Sequence, residues 1–375
     1  MGKHLTLAAV CILALTTREV VAQGALPWGQ SPDMLAWEVY VQVTAPSGDP
    51  NNKNVEFETW ASDQDIYTVN PQWPTGGETK TFQISALQTA RLHRPSQLTP
   101  MVIAPSDCKP PPPAGAAAGG FPPEGCIGEE VRRNWASFQY IVRNNLHTKQ
   151  GLAQAFAKHL RVDLPSDSIE LKGDWARIAD VMTWLHVDRQ QVLQHYYVNT
   201  ATDGKTTEEF ALLAFHFSTK QIKDWVWSDF ENSMNPGRCD DIGCHDSYGA
   251  VVADVAPRTS PNQQYGECQK TPTVKAMMTS AGIDPVWANY CLKGTQIVFT
   301  NPTLLGNSVI ERINVDLPIN KSSCITCHAY ASFDAQGKPN IPALDKSPTG
   351  PFDPKDLGNY AAADFIWGIL FAPPN

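Results

Sequence analysis

Charged side chains are scarce in this chain. They make up 18% of its 375 residues, against about 25% in an average soluble domain. No run of lysines and arginines occurs, and 29 basic against 38 acidic residues leave a net charge of −9. That excludes the basic footprint of a nucleic-acid-binding protein. Long apolar runs are also missing. The one apolar stretch of note, LTLAAVCILAL at 5–15, is too short to span a bilayer. There is no internal repeat.

Proline and glycine, by contrast, are plentiful, at 30 and 25 residues. With 42% apolar content, they indicate a loop-rich globular protein with a sizeable core. The run at 5–15 follows a short basic start and precedes small residues at Val20 and Ala22. This pattern predicts a cleaved export leader over 1–22, a periplasmic or secreted mature chain and no transmembrane segment. Eight cysteines then remain, and an even number in an oxidising compartment favours bridged or ligated sulfurs.

The expected fold class is α+β, with mixed helices and a small sheet. The stretches at 33–46 and 54–62 read as strands, the first with a possible helical entry. Spacing of Val131, Trp135, Phe138, Ile141, Val142 and Leu146, after an acidic opening at Glu129 and Glu130, predicts helix across 129–160, and a similar pattern recurs at 174–186. FALLAFHFSTK at 210–220 reads as a buried strand, with Leu213, Phe215 and Phe217 on one face and Leu212, Ala214, His216 and Ser218 on the other. The Pro/Gly-rich stretch at 105–125 reads as a surface loop that a Cys108–Cys126 bridge would close. The expected organisation is a 23–231 α+β domain followed by a loop-rich, mainly helical, cofactor-binding region over 232–375.

The chemistry concentrates in SSCITCHAYAS at 322–332. Cys324 and Cys327, separated by two residues and followed by His328, form the covalent attachment signature of c-type haem. Two thiols at this spacing reach the two vinyl groups of one porphyrin, and the adjacent imidazole ligates its iron. A thioredoxin-like motif would need a β-α-β context. Half a zinc site would need a second C-x-x-C or paired histidines. The sequence supplies neither. Candidates for the sixth iron ligand are His216, His245, Met234, Met277 and Met278. Glu170, Lys172 and Asp174 in IELKGDW form a candidate charged cluster near a pocket.

A second stretch, GRCDDIGCHDS at 237–247, holds Cys239, Cys244 and His245. It admits three readings: a second haem attachment site with His245 as ligand, a small disulfide loop, or part of a metal site. One haem c is expected and two are possible. In the disulfide reading, Cys268 and Cys291 can form a further pair.

FETWASDQDIY, IELKGDW, HYYVN, FHFSTKQIKDWVWSDFEN, LGNSVIE and SSCITCHA occur in that order along the chain. In this the chain resembles large exported bacterial c-type cytochromes with a single C-x-x-C-H near the C-terminus. The resemblance covers most of the chain beyond the leader, although only the haem motif has a clear chemical meaning. It implies haem c and a redox role, and it supplies no substrate. Three functions follow as alternatives. One is electron transfer to or from a periplasmic redox protein. Another is a peroxidase- or oxygenase-like oxidoreductase with an open distal site, served by His216 with Lys220 or Glu170. The third is a haem-based ligand sensor.

Overall fold

A computed structural model describes residues 29–48, 54–75, 127–202, 207–314 and 317–375, together with Leu26 and Phe121. The leader expected at 1–22, the loop at 105–125 apart from Phe121, and the Cys108–Cys126 bridge lie outside the described residues. No helix among the described residues is long and apolar enough to cross a membrane.

The first described helix, α1 (Pro32–Thr44), replaces the strand expected at 33–46. Ser31 caps it by accepting from the Met34 N–H, and Pro32 occupies its first turn. Leu35, Ala36, Val39, Tyr40 and Val43 are all buried, at helical rather than alternating spacing. The strand expected at 54–62 shrinks to a 3₁₀ turn, Glu56–Thr59, and a two-residue strand, β1 (Ala61–Ser62).

Strand β2 (Ile127–Arg133) takes the first part of the stretch predicted to be helical. Here the acidic pair ahead of an apolar pattern resembled a helix start, but Glu129, Val131 and Arg133 alternate in a strand. Helix begins only after Asn134, whose side chain accepts from the Ser137 N–H, and runs over Trp135–Arg143. A second helix spans Lys149–Ala157. Likewise β3 (Ile169–Arg177) extends into the stretch predicted as helix, which is confined to Ile178–Leu185.

The sheet continues with β4 (Val198–Thr202), β5 (Thr207–Thr219) and β6 (Val226–Asn232). A small hairpin pairs β7 (Cys244–His245) with β8 (Asp254–Val255), and β9 (Tyr290–Gln296) returns to the main sheet. All pairings in this seven-stranded sheet are antiparallel, in the order β1-β2-β3-β5-β6-β9 with β4 beside β5. The fold is therefore mixed α+β. The expected boundary after 231 falls within β6 and separates it from its hydrogen-bonded neighbour β9. A mainly helical character for 232–375 is not confirmed: its longest α-helix, Pro272–Ser280, has 9 residues, and loops dominate the rest.

The buried strand expected at 210–220 is β5, with one correction to its faces. Its register against β3 shifts between Asp174 and Trp175, which leaves Leu213 as an extra residue. The bulge flips the alternation. Leu212 and Phe210 therefore share the core face with Phe215 and Phe217, while Leu213 packs with Val181 and Trp184 of the helix that follows β3. The core face lies under α1, where Trp37 and Tyr40 pack on Phe230 with ring centroids 5.1 and 4.6 Å apart.

Candidate cofactor site

The opposite face of the sheet carries charge. Across it run two rows of paired residues: Val131, Lys172, His216 and Asp229, then Arg133, Glu170, Ser218 and Trp227. Exposed to water, such rows would be ordinary. Here residues 310–314 and 317–371 close over them and leave a cavity between the two layers. Arg133, Lys172, His216 and Trp227 line its floor, while Cys324, Cys327 and His328 face them with an apolar wall that includes Ile310, Leu344 and Leu370.

The motif residues sit on a short helix, Cys324–Ala329. Gln296 at the end of β9 holds its start in place. The Gln296 carbonyl accepts from the Ile325 N–H at 3.2 Å, and its amide donates to the Ser323 hydroxyl at 3.3 Å. Trp367 donates its indole N–H to the Cys327 carbonyl at 3.1 Å. Neither motif cysteine is disulfide-bonded; Cys324 is buried and Cys327 partly exposed. Burial pushes the Cys324 thiol well above its ordinary pKa, and nearby Glu311 and Asp229 add to this.

His328 is oriented by two contacts. Its Nδ1 lies 2.8 Å from the Phe365 carbonyl. Since a carbonyl can only accept, Nδ1 carries the proton and Nε2 keeps its lone pair for a ligand. The Trp227 ring packs on the imidazole with centroids 4.5 Å apart. Burial lowers the His328 pKa to about 4, so the ring is neutral at pH 7. His216 faces it, with ring centroids 6.4 Å apart and planes at 88°. Burial, with Lys172 and His328 adding, holds His216 well below its ordinary value too, and its Nδ1 has no hydrogen-bond partner.

Ion pairs satisfy the charges on the floor. Arg133 pairs with Asp63 and, at 2.9 Å, with Glu170, and Lys172 pairs with Glu129 at 2.6 Å. The backbone at Gly368 passes so close that a Cβ there would lie 2.4 Å from an Arg133 nitrogen, which requires glycine. Glu311, Cys324 and His216 bring one potential ligand atom each within 4.8 Å of one another. Burial raises the Glu311 pKa to about 6.

Of the residues predicted from sequence, Cys324, Cys327, His328, His216, Glu170 and Lys172 meet in this cavity. Asp174 lies further along β3 and does not line it. Nor do Met277 and Met278, on the Pro272–Ser280 helix: Met278 is buried in the core under α1, and the Tyr248 hydroxyl lies 3.8 Å from the Met277 sulfur. Met234 borders a separate small cavity with Leu185 and His195. Cys239 and Cys244 form a disulfide, as do Cys268 and Cys291. With both sulfurs used, neither Cys239 nor Cys244 is free to form a thioether, and His245 instead bonds Asp254 at 2.6 Å at the surface. Asp63, Glu129, Arg133, Trp227, Glu311 and Phe365 were not singled out by sequence. Alternation in EEVRR was a signal for Glu129 and Arg133, while the others are brought in by long-range packing alone.

No protein-family model matches the chain, and neither a similar curated protein nor a similar solved structure was found.

Proposed function

We propose that this chain is an exported c-type cytochrome that carries one covalent haem and passes single electrons to or from a redox protein partner. Cys324 and Cys327 would hold the porphyrin by thioethers, with His328 as the proximal ligand and His216 as the sixth ligand. Haem supplies the one-electron iron couple. One observation carries the reading: Cys324, Cys327, His328 and His216 converge on a single apolar-walled cavity, and neither cysteine is disulfide-bonded.

The residues fit the group in three respects. Imidazoles that ligate one metal from opposite sides, each nitrogen about 2 Å from it, place their ring centres roughly 6 Å apart. His216 and His328 stand at 6.4 Å. The unpaired lone pair on His328 points away from its Phe365 partner, as a ligand requires. The apolar wall suits a porphyrin. Filling both axial positions with imidazole favours electron transfer over small-ligand chemistry.

A second reading has its own support. Glu311 beside His216, with Lys172 next in the row, offers acid–base groups to a substrate if His216 does not ligate, which describes an oxidoreductase with an open distal site. The absorption spectrum of the reduced protein with and without carbon monoxide separates the two. A low-spin spectrum that carbon monoxide leaves unchanged supports the electron carrier. A large shift on adding the gas refutes His216 ligation and favours the oxidoreductase.

A further inference from the structure

Behind His328, the chain makes an unusual turn. Asp364 and Phe365 are consecutive non-glycine residues with φ of +50° and +70°. Asparagine and aspartate enter this left-handed region at modest cost, but phenylalanine rarely does. A strained pair persists only where its surroundings over-determine it. The turn directs the Phe365 carbonyl at His328 Nδ1.

The anchor is the Asp364 carboxylate. One oxygen accepts from Lys220 Nζ at 2.6 Å and lies 3.4 Å from the Trp225 indole nitrogen, while the other accepts from the Leu164 N–H at 2.7 Å. Lys220 is itself fixed. It donates to the Lys223 carbonyl at 3.0 Å, contacts Asp163 at 3.1 Å and lies over the Trp225 ring. Lys220 and Asp364 are 7% and 9% exposed. The strand β5 that carries His216 ends at Thr219, so Lys220 ties the proximal turn to the same strand.

We propose that the Lys220–Asp364 pair is a positioning device for the proximal histidine. It holds the strained turn, the turn aims the Phe365 carbonyl, and the carbonyl fixes the His328 tautomer and increases the electron donation of Nε2. This rests on the reading of His328 as an iron ligand. A stronger imidazole donor stabilises ferric over ferrous iron, so loosening the turn favours the ferrous form. Loss of such an outer partner typically costs about 10-fold or more in metal affinity or activity, and a redox ratio changed by about the same factor is the expectation here.

The test uses purified haem-loaded protein and three variants, Lys220→Met, Asp364→Asn and Lys220→Arg. Lys223→Met is the control, since Lys223 reaches only Asp224, at 4.0 Å. At a fixed applied potential, Lys220→Met should raise the ferrous-to-ferric ratio about 10-fold with covalent haem content unchanged. Lys220→Arg should return it towards wild type, and the control should not move it. Asp364→Asn keeps the local backbone preference and an acceptor for Leu164, so it should fold and shift the ratio in the same direction. Unchanged ratios in Lys220→Met and Asp364→Asn, at full haem content, would overturn the proposal. Nitrogen NMR of the His328 ring in haem-free protein reads the device independently. A fixed Nδ1–H tautomer in wild type that becomes mixed in Lys220→Met supports it, and the same tautomer in both overturns it, whether or not haem is found.

Discussion

Replacing Arg133 with methionine is the sharpest probe of the cavity floor. The guanidinium is 2% exposed and is shared between Asp63 and Glu170. Burial lowers its proton affinity, but the two carboxylates outweigh this and hold it above its ordinary value. Burial in turn raises both carboxyls despite the arginine beside them. Methionine fills similar volume and removes the charge, leaving two buried carboxylates without a cation. Breaking a buried pair in this way costs about 3–5 kcal/mol. In a chain of this size that lowers the melting temperature by roughly 5 °C.

The pH dependence supplies a second check on the same variant. Without Arg133, the folded-state pKa values of Asp63 and Glu170 rise further above their unfolded values. A raised carboxyl stabilises the folded state fully below the unfolded pKa of about 4, and that contribution is lost as pH rises through the folded pKa. The deficit of the variant should therefore shrink as pH falls from 7 towards 4. Calorimetry at pH 7, 6, 5 and 4 measures it. A deficit below about 1 kcal/mol at pH 7, or one that grows on acidification, would refute the view of Arg133 as the buried counter-ion of this wall.

Other consequences can be tested in the same way. Replacing the Cys268–Cys291 pair with serines should destabilise by about 3.5 kcal/mol, and replacing Cys239–Cys244 by about 2 kcal/mol, because chain-entropy stabilisation grows with loop length; denaturant titrations of the two double variants give the order. His216→Ala should open the sixth iron position, so that reduced protein takes up one carbon monoxide per haem where wild type takes up none, as read by absorption titration. His245 has its pKa raised, first by its hydrogen bond to Asp254 and then by Asp33. Its contribution is present below the unfolded value of about 6.5 and lost as pH rises through the folded pKa; at this exposed position it amounts to under about 1 kcal/mol, and His245→Gln should flatten the stability profile over that range.

The spacing that defines the attachment motif is local, so Cys324, Cys327 and His328 could be read directly from the chain. His216 was legible for a different reason. A single histidine in an otherwise apolar strand is conspicuous, and strand alternation places it with Ser218 on one face. Glu170 and Lys172 were read from IELKGDW as part of a charged cluster with Asp174, which the cavity does not include. What stayed hidden depends on contacts far apart in sequence. Asp63 reaches Arg133 across 70 residues, and Phe365 reaches His328 from the loop that closes the cavity. The faces of β5 were misjudged because a bulge at Leu213 leaves no mark in an apolar run. In α1, aromatic and β-branched content suggested a strand, and the capping Ser31 followed by Pro32 was the stronger signal. A sheet with one apolar and one charged face needs a cover, and neither composition nor periodicity shows that residues 310–314 and 317–371 provide it.

The central claim concerns the number and place of covalent haems. Protein expressed with a cytochrome c maturation system, denatured and measured by pyridine haemochrome absorbance and by mass of its proteolytic fragments, should carry one haem per chain on the fragment with Cys324 and Cys327. No haem, or a second haem on the fragment with Cys239 and Cys244, would contradict it.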